Sequence, residues 1–594
     1  MPPTFRLSPS AIVRWLLAFS PAIFVLLHIL PLRLHVPYHD SWAFVKQYQD
    51  WMEGNYGWRD FFAPHNYHPS APGKFIYFLV MHLCEGDLGI LPVITWALAF
   101  IASLAVLGLA RPLWSGHQWR GAGLMFLANL SLFTLAQGHS WIWDFVFQNA
   151  IPGACLAAAL WLLSSDQVKA WRWVMAAFLA VTAAFSFGTG PIVGFLLLPA
   201  VWWASESSGP RCRWARVGVW CLMAVAAGWL ALKFFVPGGS VAHPDNAGRI
   251  RDLAARPVDS VLYVCALLGH TLGQGTDVEA VDLCVLWGVV LLVVFLACAA
   301  FALTRRSAAM RREAWPWIAL GLWAGINAMA ICFGRMRALL ETALAPRYST
   351  FMLFFVLSTV MLAAWTIFRA GDGRLVRVLR AAATPAIAVL VVFNILAWET
   401  GSHSLETYRR RMNSEFAALT FTNALPPQRE VQWQLDLADG TANLARFLKA
   451  HDRLPGVNFV EDAALSRWRT GEDSSDKWAH WELARHDDGT LEMTGVCGLT
   501  RDVFLTPDLV VVTAVTDGNP ENIVALTAPQ IPDDFFESAI RRREHYDHYF
   551  AWHWRVDRSV LPVGKEVTLQ AYVLDLEKRK VRKIKGIAKL SPEV

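Results

Sequence analysis

Asp40 is the first residue of this chain whose type and position could do chemistry. It follows an apolar block at 11–31 and stands in the run His39-Asp40-Ser41-Trp42, at the head of a polar stretch, 32–87. A carboxylate there can serve as a general base if partial burial lifts its pKa toward working pH. It can equally cap the helix that Ser41 begins. The same stretch holds Asp60, His65, Asn66, His68 and Lys74, interleaved with Tyr38, Trp51, Trp58 and other aromatics. Aromatic faces beside acids and amides suit sugar rings, which offer apolar C–H faces and many hydroxyls. An aromatic belt at a membrane surface gives the same composition. His65, His68 and Asp40 have the donor chemistry for a divalent cation, although His-x-x-His in a loop is a weak metal signal.

Later segments add to this set. Residues 137–149, QGHSWIWDFVFQN, contribute Trp141, Trp143, Asp144 and Gln148. Residues 186–190, SFGTG, are a glycine break between two apolar runs. Arg249 and Arg251 fall in 237–260, and Arg335, Arg347 and Tyr348 in 334–350. A guanidinium matches phosphate oxygens as a planar fork, and pairing with Asp245, Asp252, Asp259 or Glu341 is the alternative for each arginine.

The elements that must position these residues are membrane helices. Of 594 residues, 55% are apolar and only 17% charged, against ~25% charged in ordinary soluble domains. Apolar blocks near 11–31, 88–110, 120–137, 147–164, 173–187, 190–205, 217–236, 281–303, 315–333, 349–368 and 382–398 read as eleven spans of a polytopic α-helical membrane domain, 1–400. Basic residues gather in alternate connections: Arg111 and Arg120; Lys169 and Arg172; Arg211, Arg213 and Arg216; Arg305 to Arg312; Arg369 to Arg380. The positive-inside rule makes that side cytoplasmic, so the N-terminus is inside, and the first loop and everything after about 400 lie outside the cytoplasmic membrane. Two shorter apolar stretches, Phe75–Cys84 and Val258–Leu272, break the alternation and read as interfacial or re-entrant helices on the outer face. The nine cysteines have no paired spacing and read as small apolar packers.

Beyond 400 the composition changes. Residues 403–418 and 441–451 read as helices within a linker region, 401–488. From 489 to the end, short alternating runs such as DLVVVTAVTDG and EVTLQAYVLDL read as an antiparallel β-sandwich. The basic run LEKRKVRKIKGIAKL reads either as a lysine-protected strand edge or as a surface for anionic lipid. No basic stripe on a soluble face points to nucleic acid.

Five motifs in fixed order, HDSW (39–42), HNYH (65–68), HSWIWDFVFQ (139–148), SFGTG (186–190) and PRYST (346–350), resemble those of a bacterial group within the GT-C membrane glycosyltransferases. The resemblance covers about 320 residues. It implies a GT-C-like fold and inverting transfer of a sugar from a polyprenyl-phosphate donor to a cell-envelope glycan or glycolipid. Asp40 would be the general base, and His39, Trp42, Asp60, His65, Asn66, His68, Lys74, Trp141, Trp143, Gln148, Arg249, Arg251, Arg347 and Tyr348 the substrate contacts. The pattern departs from the group at His39, Tyr67 and Pro69, where acids or an arginine are expected. The alternatives are a transporter or flippase for a lipid-linked sugar, which would carry internal repeats and paired broken helices, and a non-catalytic envelope scaffold or sensor.

Overall fold

The computed structural model describes residues 8–65, 68–165, 168–206, 209–235, 246–273, 280–335, 340–369, 371, 373–421, 440–455, 457, 469–470, 480–486, 490–497, 509–516, 522–527, 550–557, 561, 565–575 and 580–591. The chain divides into two units. One comprises Met1–Arg33, Asp50–Val80 and Gly89–Leu405; the other comprises Leu34–Gln49, Met81–Leu88 and Glu406–Val594.

The first unit is helical. It opens with α1 (Pro9–Ile29). The next helix, α2 (Ser41–Met52), begins in the second unit's segment and ends in the first. Two short helices follow, α3 (Trp58–Phe62) and α4 (Ala71–Leu83). Then come α5 (Leu91–Trp114), α6 (Gln118–Leu132), α7 (Phe147–Leu163), α8 (Ala170–Ala184), the broken pair α9 (Ile192–Leu196) and α10 (Leu198–Ala204), and α11 (Pro210–Phe235). The short α12 (Asn246–Ala255) and α13 (Pro257–Gly273) precede α14 (Ala280–Leu303), α15 (Ala308–Arg335), α16 (Pro346–Arg369) and α17 (Arg374–Thr420).

Every one of the eleven apolar blocks lies on a helix or broken helix. Among the described residues, seven helices are long and apolar enough to cross a membrane, or eight if α6 and the 3₁₀ turn Leu135–Trp141 form one bent span. The blocks on α7, α8 and α9–α10 are shorter because each chain segment turns early. Residues 186–190 end α8, and α9 gives way to α10 at Leu197. Large apolar side chains stay exposed on α1, α8, α11, α14 and α17, including Val174, Leu222, Val293 and Ile395. Such continuous apolar surface belongs against lipid rather than water. The centre of the unit is α16, whose apolar window is 78% buried against 17% for α17. It packs on α15, α14, α13, α6 and α7.

Small residues let these helices touch. A Cβ on Gly288 of α14 would fall on the Cys265 carbonyl of α13, and one on Gly269 of α13 on the Cys284 carbonyl of α14. Each backbone therefore approaches the other through a glycine, the usual geometry of close helix pairs in lipid. Buried polar groups are tied down as a membrane interior requires. Asn129 Nδ2 donates to the Ala18 carbonyl at 2.7 Å, and Ser103 Oγ donates to Asn129 Oδ1 at 2.5 Å.

Residues 403–418 are helical as the sequence reads, and they continue α17, which runs unbroken for 47 residues from Arg374 to Thr420. Gly401 does not stop it, because its missing side chain admits the Leu135 carbonyl.

Among its described residues the second unit contains α18 (Thr441–Ala450) and eight strands: β1 (Arg469–Thr470), β2 (His480–Arg485), β3 (Thr490–Cys497), β4 (Leu509–Thr516), β5 (Asn522–Thr527), β6 (Phe550–Asp557), β7 (Val567–Asp575) and β8 (Lys580–Leu590). They form a small β-sheet region in the order β5-β4-β7-β8-β2-β3-β6, with β1 also on β8. The alternating runs DLVVVTAVTDG and EVTLQAYVLDL are β4 and β7, and TLEMTGVCGL, NIVALTA and HYFAWHWRV, which alternate likewise, fall on β3, β5 and β6. The pairing is not wholly antiparallel, since β1 and β2 both run parallel to β8. Nor is the basic run an edge: β8 has β7 on one side and β1 and β2 on the other. Val581, Ile584 and Leu590 of β8 are buried and Lys589 is exposed; Val581 and Ile584, three residues apart, lie on opposite faces, so both faces of this strand are covered. One apolar cluster joins Met493, Trp552 and Trp554 from one half of the path to Val512, Leu569 and Ile584 from the other.

Gly586 of β8 has φ +143°, and a Cβ there would lie 2.6 Å from Trp481 Nε1. Gly586→Ala is expected to cost about 1–3 kcal/mol, read as a lower unfolding temperature.

Candidate functional site

Four of the five motifs meet in the first unit, at the ends of α7, α9 and α16. His65 N–H donates to the His68 carbonyl at 2.9 Å and His68 N–H to the His65 carbonyl at 2.8 Å. Both imidazoles meet rings of neighbouring segments. The His65 ring lies 5.0 Å from Phe145, and the His68 ring stacks on Phe187, 4.2 Å between centroids and 16° between planes.

The SFGTG break is explained residue by residue. Ser186 Oγ donates to the Thr182 carbonyl at 2.6 Å, ending α8. Phe187 carries the stacked His68. A Cβ on Gly188 would come 2.9 Å from His68 Nδ1, and one on Gly190 would fall on the Ala183 carbonyl. Thr189 Oγ1 donates to Asn327 Oδ1 on α15 at 2.6 Å.

PRYST begins α16 and locks to the loop before α7. Pro346 lies against Gly138, which has φ +48°. Ser349 Oγ donates to the Ala136 carbonyl at 3.3 Å and meets His270 Nδ1 of α13 at 3.0 Å, and Thr350 Oγ1 donates to Gln137 Oε1 at 3.1 Å. The Arg347 guanidinium lies over the Tyr348 ring at 5.0 Å. In the tryptophan-rich loop, Trp141 Nε1 donates to the Thr134 carbonyl at 2.9 Å. Trp143 is buried 6.2 Å from Phe145. Gln148 fills the space left by Gly73 of α4.

Residues beyond the substrate contacts that the resemblance implies complete the cluster, among them Arg335 and Asp144, which the sequence offered as candidates. Arg335, the exposed last residue of α15, lies within electrostatic reach of both His68 and Tyr263. Tyr263 meets Thr342 Oγ1 at 3.0 Å. Asp144 is 1% exposed and acts on the fully buried Tyr77. The sequence held signals for two of these. Tyr263 and His270 are seven residues apart, two helical turns on one face, and Asp144 is the one acid in a tryptophan-rich loop.

Other members of the set stand differently. Lys74 is 1% exposed, and its ammonium donates to the carbonyls of Asp60 (3.0 Å) and Ala63 (2.8 Å), so it fixes the loop. Burial lowers its pKa to about 8 against the opposing pull of Asp60. The Asp60 carboxylate accepts from Gly57 N–H at 2.9 Å, capping α3. Arg249 and Arg251 lie on α12, which packs against α13 and α15. Asn66 lies outside the described residues. Asp40, His39 and Trp42 belong to the second unit. There Asp40 precedes α2, its carboxylate is one-third exposed, and Oδ1 is 3.3 Å from His39 Nδ1. His39 has φ +50°, a left-handed conformation that non-glycine residues adopt at a cost. Trp42 is buried. Among the described residues no group of three His, Cys, Asp or Glu side chains could hold a metal ion, so the divalent cation has no described site.

Burial first, then His65 and Arg335, pushes the His68 pKa from its ordinary 6.5 down to about 4. The unfolded chain takes up this proton near 6.5 while the folded chain stays neutral. Between the two values the unfolded state binds more protons, so stability is full above 6.5 and falls as pH drops toward 4. Unfolding temperatures measured across that window are expected to fall more steeply for the natural chain than for His68→Gln.

Comparison of the chain with protein-family models, and with curated proteins, finds no match.

Proposed function

We propose that this chain is a GT-C-type glycosyltransferase of the cytoplasmic membrane, with eleven spans, an inside N-terminus and an extracytoplasmic β-sandwich. It transfers a sugar from a polyprenyl-phosphate donor to a cell-envelope glycan or glycolipid on the outer face. The observation that carries this reading is the meeting of HNYH, the tryptophan-rich loop, SFGTG and PRYST in one cluster of aromatic rings, histidines and arginines. A sugar phosphate asks for that combination: aromatic faces for the ring's C–H surfaces, and fixed cations for the phosphate.

In the proposed reaction the Asp40 carboxylate takes the proton of an acceptor hydroxyl as that oxygen bonds to the anomeric carbon. The bond from that carbon to the phosphate oxygen breaks on the opposite face, inverting the configuration, and the lipid phosphate leaves with the electron pair. Arg335 and Arg347 meet the charge gathering on it. Rings at Phe145, Phe187 and Tyr348 hold the sugar. Purified chain in proteoliposomes tests this with labelled polyprenyl-phosphate sugars. Acceptor-dependent release of polyprenyl phosphate supports it, and passage of intact donor across the bilayer without cleavage favours a flippase.

A further inference from the structure

At the opposite ends of the same helices lies a second built surface. The turns α5–α6, α7–α8, α10–α11, α14–α15 and α16–α17 each carry arginine or lysine. Across residues 108–121, 160–174, 200–217, 300–314 and 366–380 the sequence has fifteen such cations and four carboxylates, Asp166, Glu206, Glu313 and Asp372. Positive-inside bias accounts for charge in these turns, but not for how the turns are joined.

The joining is done by the cations and by tryptophan. Arg120 of α6 lies over Phe368 of α16 at 4.4 Å. The next residue, Arg369, forms a forked pair with Glu313 of α15 at 2.8 and 2.9 Å. Arg312 donates to the Ser164 carbonyl at the end of α7 at 2.9 Å. Trp315 of α15 meets Trp203 of α10 at 6.2 Å, and Arg216 of α11 lies 5.5 Å over Trp173 of α8. All five turns are thus joined into one rim, a closed ring of α7–α8, α10–α11 and α14–α15 that extends through α16–α17 to α5–α6. Trp119, Trp171 and Trp214 are exposed on it, with Arg14, Arg172 and Arg213 over Trp119, Trp171 and Trp202 at 5.8, 5.5 and 4.9 Å.

We propose that this rim is a binding surface for the headgroups of anionic phospholipids. The argument is charge complementarity at a membrane-facing position. Exposed indoles settle at headgroup depth, and guanidiniums beside them carry a large positive excess that lipid phosphates can neutralise. This inference is independent of the transferase reading.

The test is native mass spectrometry of the full detergent-solubilised chain with equal amounts of phosphatidylglycerol and phosphatidylcholine. Arg211, Arg374 and Arg377 are exposed and cap no helix among the described residues, so their replacement by Gln should leave the fold intact. The expected result is preferential retention of phosphatidylglycerol that weakens with added salt. The triple Arg→Gln variant should lose about fivefold in affinity per arginine, on the order of 100-fold together, with phosphatidylcholine binding unchanged. Equal retention of the two lipids, or a triple variant that binds phosphatidylglycerol as the natural chain does, overturns the proposal. If the variant does not fold, absence of salt dependence in the natural chain overturns it alone.

Discussion

Asp40→Asn is expected to reduce sugar transfer by about a thousandfold while leaving the folded chain intact. An amide matches the carboxylate in size but cannot accept the acceptor's proton, and loss of a positioned base costs about 10²–10⁴ in rate, which at a thousandfold is about 4 kcal/mol of barrier. The substitution also separates two roles. Asp40 immediately precedes α2, and an N-cap needs only a short side-chain oxygen, which Asn supplies as well as Asp. If capping were the whole role, Asn would be silent and Ala would cost ~1 kcal/mol of stability. Unchanged transfer in Asp40→Asn, at normal protein level and unfolding temperature, removes the residue from the mechanism.

The largest expected effect on the fold comes from Gly288→Leu. The side chain of residue 288 has no room, because the Cys265 carbonyl of α13 occupies the Cβ position. Backbone cannot rotate aside as a side chain can, so α13 must move off α14. That movement also strips Gly269 and Gly273 from Cys284 and pulls His270 from Ser349, one of the ties that hold the start of α16. A clash of this kind in a packed interior belongs among the rare losses above ~4 kcal/mol. The expected readout is loss of monodisperse protein in size-exclusion chromatography. Gly218→Leu on α11, where a Cβ meets nothing within 4 Å, is the matched control and should behave as the natural chain.

The contrast between those two glycines shows what was legible in the sequence. Each apolar block became a helix because, without water, a helix satisfies its own backbone. The number that are long enough to cross was not legible, since it depends on breaks such as the one at Leu197. That the last apolar block and the helical stretch 403–418 form one helix was not legible, because polarity changes near residue 400 while helix geometry does not. In the sheet, alternation located β3 to β7, whereas the place of β8 between β7 and β2 depends on pairing with segments distant in sequence. Composition near 580 therefore suggested an edge that the structure does not have.

The site was legible as an ordered set of motifs rather than as contacts. SFGTG suggested a tight turn. The partners that require each glycine, His68 Nδ1 and the Ala183 carbonyl, come from other segments. Lys74 read as a substrate contact because its burial by the Asp60–Ala63 loop is a tertiary fact. Arg335 gained its place from the fold, which brings the end of α15 to His68.

The most direct measurement is an experimental structure of the chain in a lipid nanodisc with bound polyprenyl phosphate. The account predicts phosphate density within hydrogen-bonding distance of Arg335 or Arg347, beside Phe187 and Tyr348. Phosphate bound elsewhere would contradict it.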